Sequence, residues 1–191
     1  MIIGMDLFAE GLQYAHHRML CHLVQGDVHK MPFGIQFDVI GLFDVLEHLP
    51  NDTQVLRNLH ASLVQGGRLL LTVPAHSSLW SYFDEESHHC RRYELTELQN
   101  KLMYANYKVE YITPYMSVIF PLVWLRRRLM TGMGNHKSDT ASHKRNLASG
   151  ELRITPVVND LLCLLLAQEA NMISRRRRLP IGTSLLAIAR K

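Results

Sequence analysis

Three short apolar runs that each close on an aspartate constrain this chain more than any other feature: IIGMD ends at Asp6, LVQGD at Asp27 and VIGLFD at Asp44. Runs of this length are too short for globular helices and suit strands buried in a parallel sheet. Apolar residues at helical spacing separate or follow them, first Leu12, Ala15 and Met19, then Val55, Leu59 and Leu63. Strand, helix and strand at short intervals argue for βαβ units. The expected fold is α/β, a doubly wound, mostly parallel sheet. In such a sheet ligands bind outside the carboxyl ends of the strands, so the three acids face a site.

The rest of the chain continues the alternation. Asn51 followed by Gln54 predicts a helix cap, with Gly66-Gly67 stopping that helix. RLLLTV over 68–73, closed by Pro74, reads as a buried strand. Thr96 followed by Gln99 predicts a second cap, before a helix through Leu98 and Leu102 and a strand over 107–113. SLLAIA over 184–189 gives a last strand. Residues 115–180 break the rhythm with two apolar helical segments around the polar stretch GNHKSDTASHKRNLASGE, and read as a helical insertion or lid. With 191 residues, 47% of them hydrophobic, one domain over 1–191 is expected.

The formal charge of +4 is concentrated in Arg126, Arg127 and Arg128 and in Arg175, Arg176, Arg177 and Arg178. Each cluster follows an apolar run, SVIFPLVWL and LLCLLLA, as in helices that lie at an anionic membrane interface. The alternative is a lid whose apolar faces pack together while the arginines stay solvated. Nucleic acid is disfavoured, because neither cluster has interleaved aromatics. Both apolar runs fall short of the roughly 18–20 residues that span a bilayer. The amino terminus lacks a signal-peptide pattern, and Cys21, Cys90 and Cys163 have no CxxC spacing, so a cytoplasmic location is expected. His88-His89 beside Cys90 is not read as a metal site, because adjacent side chains point apart and no fourth ligand is apparent.

An acid at the end of a strand can accept hydrogen bonds from both ribose hydroxyls of a nucleotide, which suits Asp6, and Asp27 on the next strand could accept from an adenine amine. Here IIGMD, GDVHKMPF, FDVIGLFDVLEHLPND, LVQGGRLLLTVP and the final PIGTSLLAIARK resemble the class I S-adenosylmethionine-dependent methyltransferase family. The resemblance implies S-adenosylmethionine as cofactor, with Asp6 at the ribose, Asp27 and Val28 at the adenine, the Phe43-Asp44 turn beside the methionine part, and Leu7 also among the cofactor-binding residues. Glu47 and His48 match the family's EH pair, which orders the turn after Asp44. The family's glycine-rich GxGxG turn should precede the ribose-binding acid by roughly 20 residues. Asp6 leaves no room for it. The strand that carries those glycines lies between the strands ending in Asp6 and Phe43, so a sheet without it is expected. Either a functional protein begins upstream, or this is a short form that fills the gap another way.

Methyl transfer to a hydroxyl needs a proton acceptor, and the loop histidines His48, His76, His88 and His89 are candidates, with His48 and His76 put first. Trp80, Tyr82, Phe83 and Tyr93 would line a substrate pocket or pack over the sheet. The expected function is methyl transfer to a small or lipid-like acceptor, at the membrane surface if the arginine segments bind there. The alternative is a noncatalytic remnant of the fold serving as a peripheral-membrane or scaffolding protein.

Overall fold

The computed structural model describes residues 1–18, 21–125 and 156–191. In chain order the elements are β1 (Ile3–Asp6), α1 (Ala9–His16), β2 (His22–Gln25), β3 (Phe37–Phe43), a 3-10 turn (Leu46–His48), α2 (Asp52–Ser62), β4 (Leu63–Pro74), a 3-10 turn (Ser77–Leu79), α3 (Tyr82–Glu86), α4 (Leu95–Tyr104), β5 (Lys108–Tyr115), α5 (Pro156–Ser174) and β6 (Ser184–Arg190). A further helical stretch covers 120–125.

The main sheet has the strand order β3-β4-β6-β5. β3 and β4 are parallel, while β6 runs antiparallel to both β4 and β5. β3, β4 and β5 therefore point one way, and the α/β, mostly parallel expectation holds. β1 and β2 pair in parallel as a separate two-stranded sheet. Among the described residues neither β1 nor β3 has a partner on its second edge. The sheet is split at the place where the resemblance expects a strand to be missing.

The core lies between the main sheet and two helices. Alternation along β4 and β6 turns Leu69, Leu71, Val73, Leu185, Ala187 and Ala189 inward. Val55, Leu56 and Leu59 of α2 and Leu98 and Leu102 of α4, spaced three and four apart, cover them. In contrast, no described residue before Leu42 is buried, so the β1–α1–β2 unit lacks a core of its own.

Several local expectations are corrected. Asn51 does stand at the N-cap of α2, but its side chain makes no capping bond and Gln54 turns to Asn58 instead. The N-cap of α4 is Glu94, two residues ahead of Thr96, also without a side-chain capping bond. Glu94 is drawn off to Ser77, whose N–H it accepts at 3.0 Å. Gly66-Gly67 do not stop α2, which ends at Ser62. They sit inside β4, where the ladder jumps from Phe37 opposite Leu63 to Val39 opposite Arg68. A two-residue step on β3 against five on β4 is a bulge, and Gly66 supplies its positive φ of 82°.

Candidate active site

The register of β1 on β2 sets Asp6 opposite Gln25, and Gly26 N–H donates to the Asp6 carbonyl at 3.0 Å. Asp6 and Asp27 thus stand together at the carboxyl end of this sheet, both exposed. Asp6 Oδ1 accepts from Phe8 N–H at 2.8 Å. Asp27 Oδ1 accepts from His29 N–H at 2.8 Å and lies 2.8 Å from the His29 ring, and these contacts hold its carboxyl below the ordinary range. Leu7 is exposed, whereas Val28 turns partly into the core.

At the carboxyl end of β3, Phe43 is 58% exposed and Asp44 takes a left-handed φ of 50° that aspartate tolerates better than most residues. The Asp44 N–H is shared by the carbonyl and hydroxyl oxygens of Thr72, each at 3.1 Å. Burial raises the Tyr115 hydroxyl, the Asp44 charge adds to the rise, and hydrogen bonds with Thr72 and Ser184 oppose it. Asp44, Thr72 and Tyr115 therefore meet at the ends of three strands.

The 3-10 turn after Asp44 carries Glu47 inward and His48 outward. Glu47 is 1% exposed, and burial pushes its carboxyl up to about 7. Its Oε1 lies 4.0 Å from Nε2 of His89, and the His48 and His89 rings meet edge to face at 4.7 Å. Burial, then the neighbouring His89, lowers the His48 imidazole. His89 Nδ1 is 3.0 Å from Oδ1 of buried Asp84, which Arg92 Nε also reaches at 2.7 Å. His76, after β4, has φ of 60°, places Nδ1 3.3 Å from Glu94 Oε2 and stacks edge to face on Phe120. Its buried Nε2 has no hydrogen-bond partner among the described residues.

The structure thus gathers Phe43, Asp44, Glu47 and His48 at one strand end and sets Asp6 and Asp27 at another. Tyr93 is not a pocket residue: it is fully buried and donates its hydroxyl to Asp52 Oδ2 at 2.9 Å. Trp80 and Phe83 are exposed, and the Tyr82 and Phe83 rings lie 4.6 Å apart. Sequence reasoning missed Thr72, Asp84, Glu94 and Tyr115. Only the alternation of β5, extended two residues past Thr113, could have signalled Tyr115. Arg126, Arg127 and Arg128 lie outside the described residues.

The family described as "Methyltransferase domain" matches residues 2–112, more than half of the chain. The chain belongs to the methyltransferase domain family. Among solved structures, this methyltransferase domain is similar to an S-adenosylmethionine-dependent methyltransferase from Mesorhizobium loti at 14% identity, covering 99% of this chain and 80% of that one with a TM-score of 0.55. A counterpart from Archaeoglobus fulgidus shows 14% identity, coverage of 99% and 75%, and a TM-score of 0.54. Phosphoethanolamine N-methyltransferase 2 of Haemonchus contortus, solved with S-adenosyl-L-methionine, shows 16% identity, coverage of 99% and 43%, and a TM-score of 0.54. At these identities the likeness to solved structures shows the fold. Among curated proteins none matches this chain.

Proposed function

We propose that the chain binds S-adenosylmethionine and transfers its methyl group to a small or lipid-like acceptor. The observation that carries this reading is the β1–β2 register, which pairs Asp6 with Gln25 and so brings Asp6 and Asp27, two exposed aspartates, to the same end of a parallel strand pair in a member of the methyltransferase family. The residues present fit the nucleoside end of the cofactor. Asp6 lies over Gly11, where a Cβ would stand 2.8 Å from Oδ2, so the missing side chain leaves the carboxylate its place. Asp6 then accepts from the ribose hydroxyls and Asp27 from the adenine amine, while the Phe43-Asp44 turn meets the methionine end.

When bound, the cofactor supplies an electrophilic methyl on a sulfonium. The protein's own work is to orient the acceptor, exclude water and receive a proton. His76 suits the last task. Glu94 Oε2 lies 3.3 Å from Nδ1, and the buried Nε2, without a hydrogen-bond partner among the described residues, is the nitrogen that an acceptor seated against it would meet.

The lipid-like acceptor is supported by α5. Leu161, Leu164 and Met172 are exposed along it, and exposed Arg175, Arg176, Arg177 and Arg178 follow directly. Apolar side chains beside clustered cations suit the boundary of an anionic bilayer. No described helix is long and apolar enough to cross a membrane.

The test is incubation with methyl-labelled S-adenosylmethionine and either a lipid extract or a mixture of small phenols and amines. Label entering the organic phase is expected, with His76→Ala slowing it about 100-fold or more. Label transferred to neither mixture overturns the enzymatic reading, and with vesicle binding retained it supports the scaffold instead.

A further inference from the structure

We propose that Glu47, His48 and His89 form a binding site for a divalent transition-metal cation, zinc being the best chemical fit. The three side chains offer one carboxylate oxygen and two imidazole nitrogens, all within 4.8 Å of one another. Two imidazoles and a carboxylate make a set that binds zinc and related first-row cations, with further positions left to solvent or a ligand.

The deciding observation is an orphan oxygen. Glu47 is 1% exposed, yet Oε2 has no hydrogen-bond partner among the described residues. The carboxylate is met by its own backbone N–H, yet one buried oxygen stays unbonded, which is costly and calls for an explanation. Oε1 does not resolve it. At 4.0 Å from His89 Nε2 the pair is too far apart for a hydrogen bond. Bonds of about 2.0–2.1 Å at tetrahedral angles need donors about 3.3 Å apart, so a side-chain closure of about 0.7 Å from the 4.0 Å separation seats a cation between them.

The surroundings prepare the imidazole for that role. Asp84 is 1% exposed and accepts from Ser81 N–H at 2.8 Å and from Arg92 Nε at 2.7 Å. A carboxylate so held can only accept from His89 Nδ1, 3.0 Å away, and this puts the proton on Nδ1 and leaves the Nε2 lone pair facing Glu47. A carboxylate behind a ligating histidine is the usual second partner of a metal site. The backbone joins the two halves, since Cys90 N–H donates to the Glu47 carbonyl at 2.8 Å. Donor exposure rises from buried Glu47 through half-buried His89 to exposed His48, which gives a cation a path in from solvent.

The site adjoins Asp44, whose charge reaches both Glu47 and His48, and its metal binding is tested with the cofactor left out. Zinc chloride is titrated calorimetrically into the metal-free chain, and cobalt(II) is followed by its visible absorption. One site of micromolar or tighter affinity is expected. His48→Ala, which removes a ligand together with its edge-to-face contact on His89, should weaken it at least tenfold, as should the isosteric Glu47→Gln, which leaves that contact in place. Asp84→Asn should weaken it about 10–100-fold. His88→Asn, next door but outside the cluster, should leave it unchanged. Thermal melts confirm that each variant is folded. The chain has 11 histidines, so binding alone is not enough. No saturable zinc binding, or binding that His48→Ala and Glu47→Gln leave unchanged, overturns the proposal.

Discussion

Replacing Asp52 with asparagine should destabilise the fold far more than the loss of one surface charge. Asp52 is 3% exposed at the start of α2. Its Oδ2 accepts from Arg91 Nη1 at 2.8 Å, Lys101 Nζ at 2.8 Å and Tyr93 hydroxyl at 2.9 Å. One carboxylate thus ties α2 to α4 and to the 91–93 segment behind the site. Removing one partner of a buried ion pair costs about 3–5 kcal/mol. The Arg91 and Lys101 side chains keep 28% and 21% exposure, so water recovers part of that. The loss should be about 2–3 kcal/mol, or about 5–10 °C in Tm for a chain of this size.

The pH dependence gives this an internal control. Burial raises the Asp52 carboxyl, but hydrogen bonds from Lys101 and Tyr93, with the charges of Lys101 and Arg91, more than offset it, leaving the folded value below 3.8. A depressed folded value stabilises above the unfolded value, and that stabilisation is lost as pH falls through the folded one. Urea unfolding of wild type and Asp52→Asn should differ by a constant amount from about pH 7 to 5 and begin to converge only below about pH 4, as the pH falls through the depressed folded value. A difference under about 1 kcal/mol at pH 7, the range of an exposed pair, would refute the reasoning. A difference that stays the same at pH 3 would refute it too.

Gly182→Ala should be the most damaging small substitution, because the added Cβ would stand 2.0 Å from the Tyr115 carbonyl oxygen. A Tm loss equivalent to about 3 kcal/mol is expected, and a change below about 0.5 would contradict the packing described. Leu98→Ala, at 0% exposure between α4 and the sheet, should cost about 2–5 kcal/mol in urea unfolding. The chain should pellet with anionic vesicles at low salt and release as ionic strength rises, with Arg175→Glu and Arg178→Glu together weakening it. Pelleting insensitive to both would leave the lid as the better account of α5.

What the sequence discloses here is local. β3 reads from its apolar run alone, and Asp44 falls at its end, because both depend on residues within seven positions of each other. The insertion of β6 between β4 and β5 was not legible, for it joins residues 69 or more apart, from Tyr115 opposite Ser184 upward, that carry no pairing signal. The caps failed for different reasons: Gln54 turns to Asn58 one turn on in its own helix, and α4 starts at Glu94, ahead of Thr96, with Glu94 held by Ser77. The Asp84–His89–Glu47 chain is hidden too, because a tertiary backbone bond from Cys90 to Glu47 is what brings its two halves together.

The most direct measurement is calorimetric titration of S-adenosylmethionine into the 191-residue chain, beside Asp6→Ala. Two or three hydrogen bonds to carboxylates, without a glycine-rich turn, are worth about 4 kcal/mol and predict saturable binding with Kd on the order of 1 mM or tighter. Asp6→Ala should weaken it at least tenfold. No saturable heat at several times that concentration would contradict the account, as would binding that Asp6→Ala leaves intact.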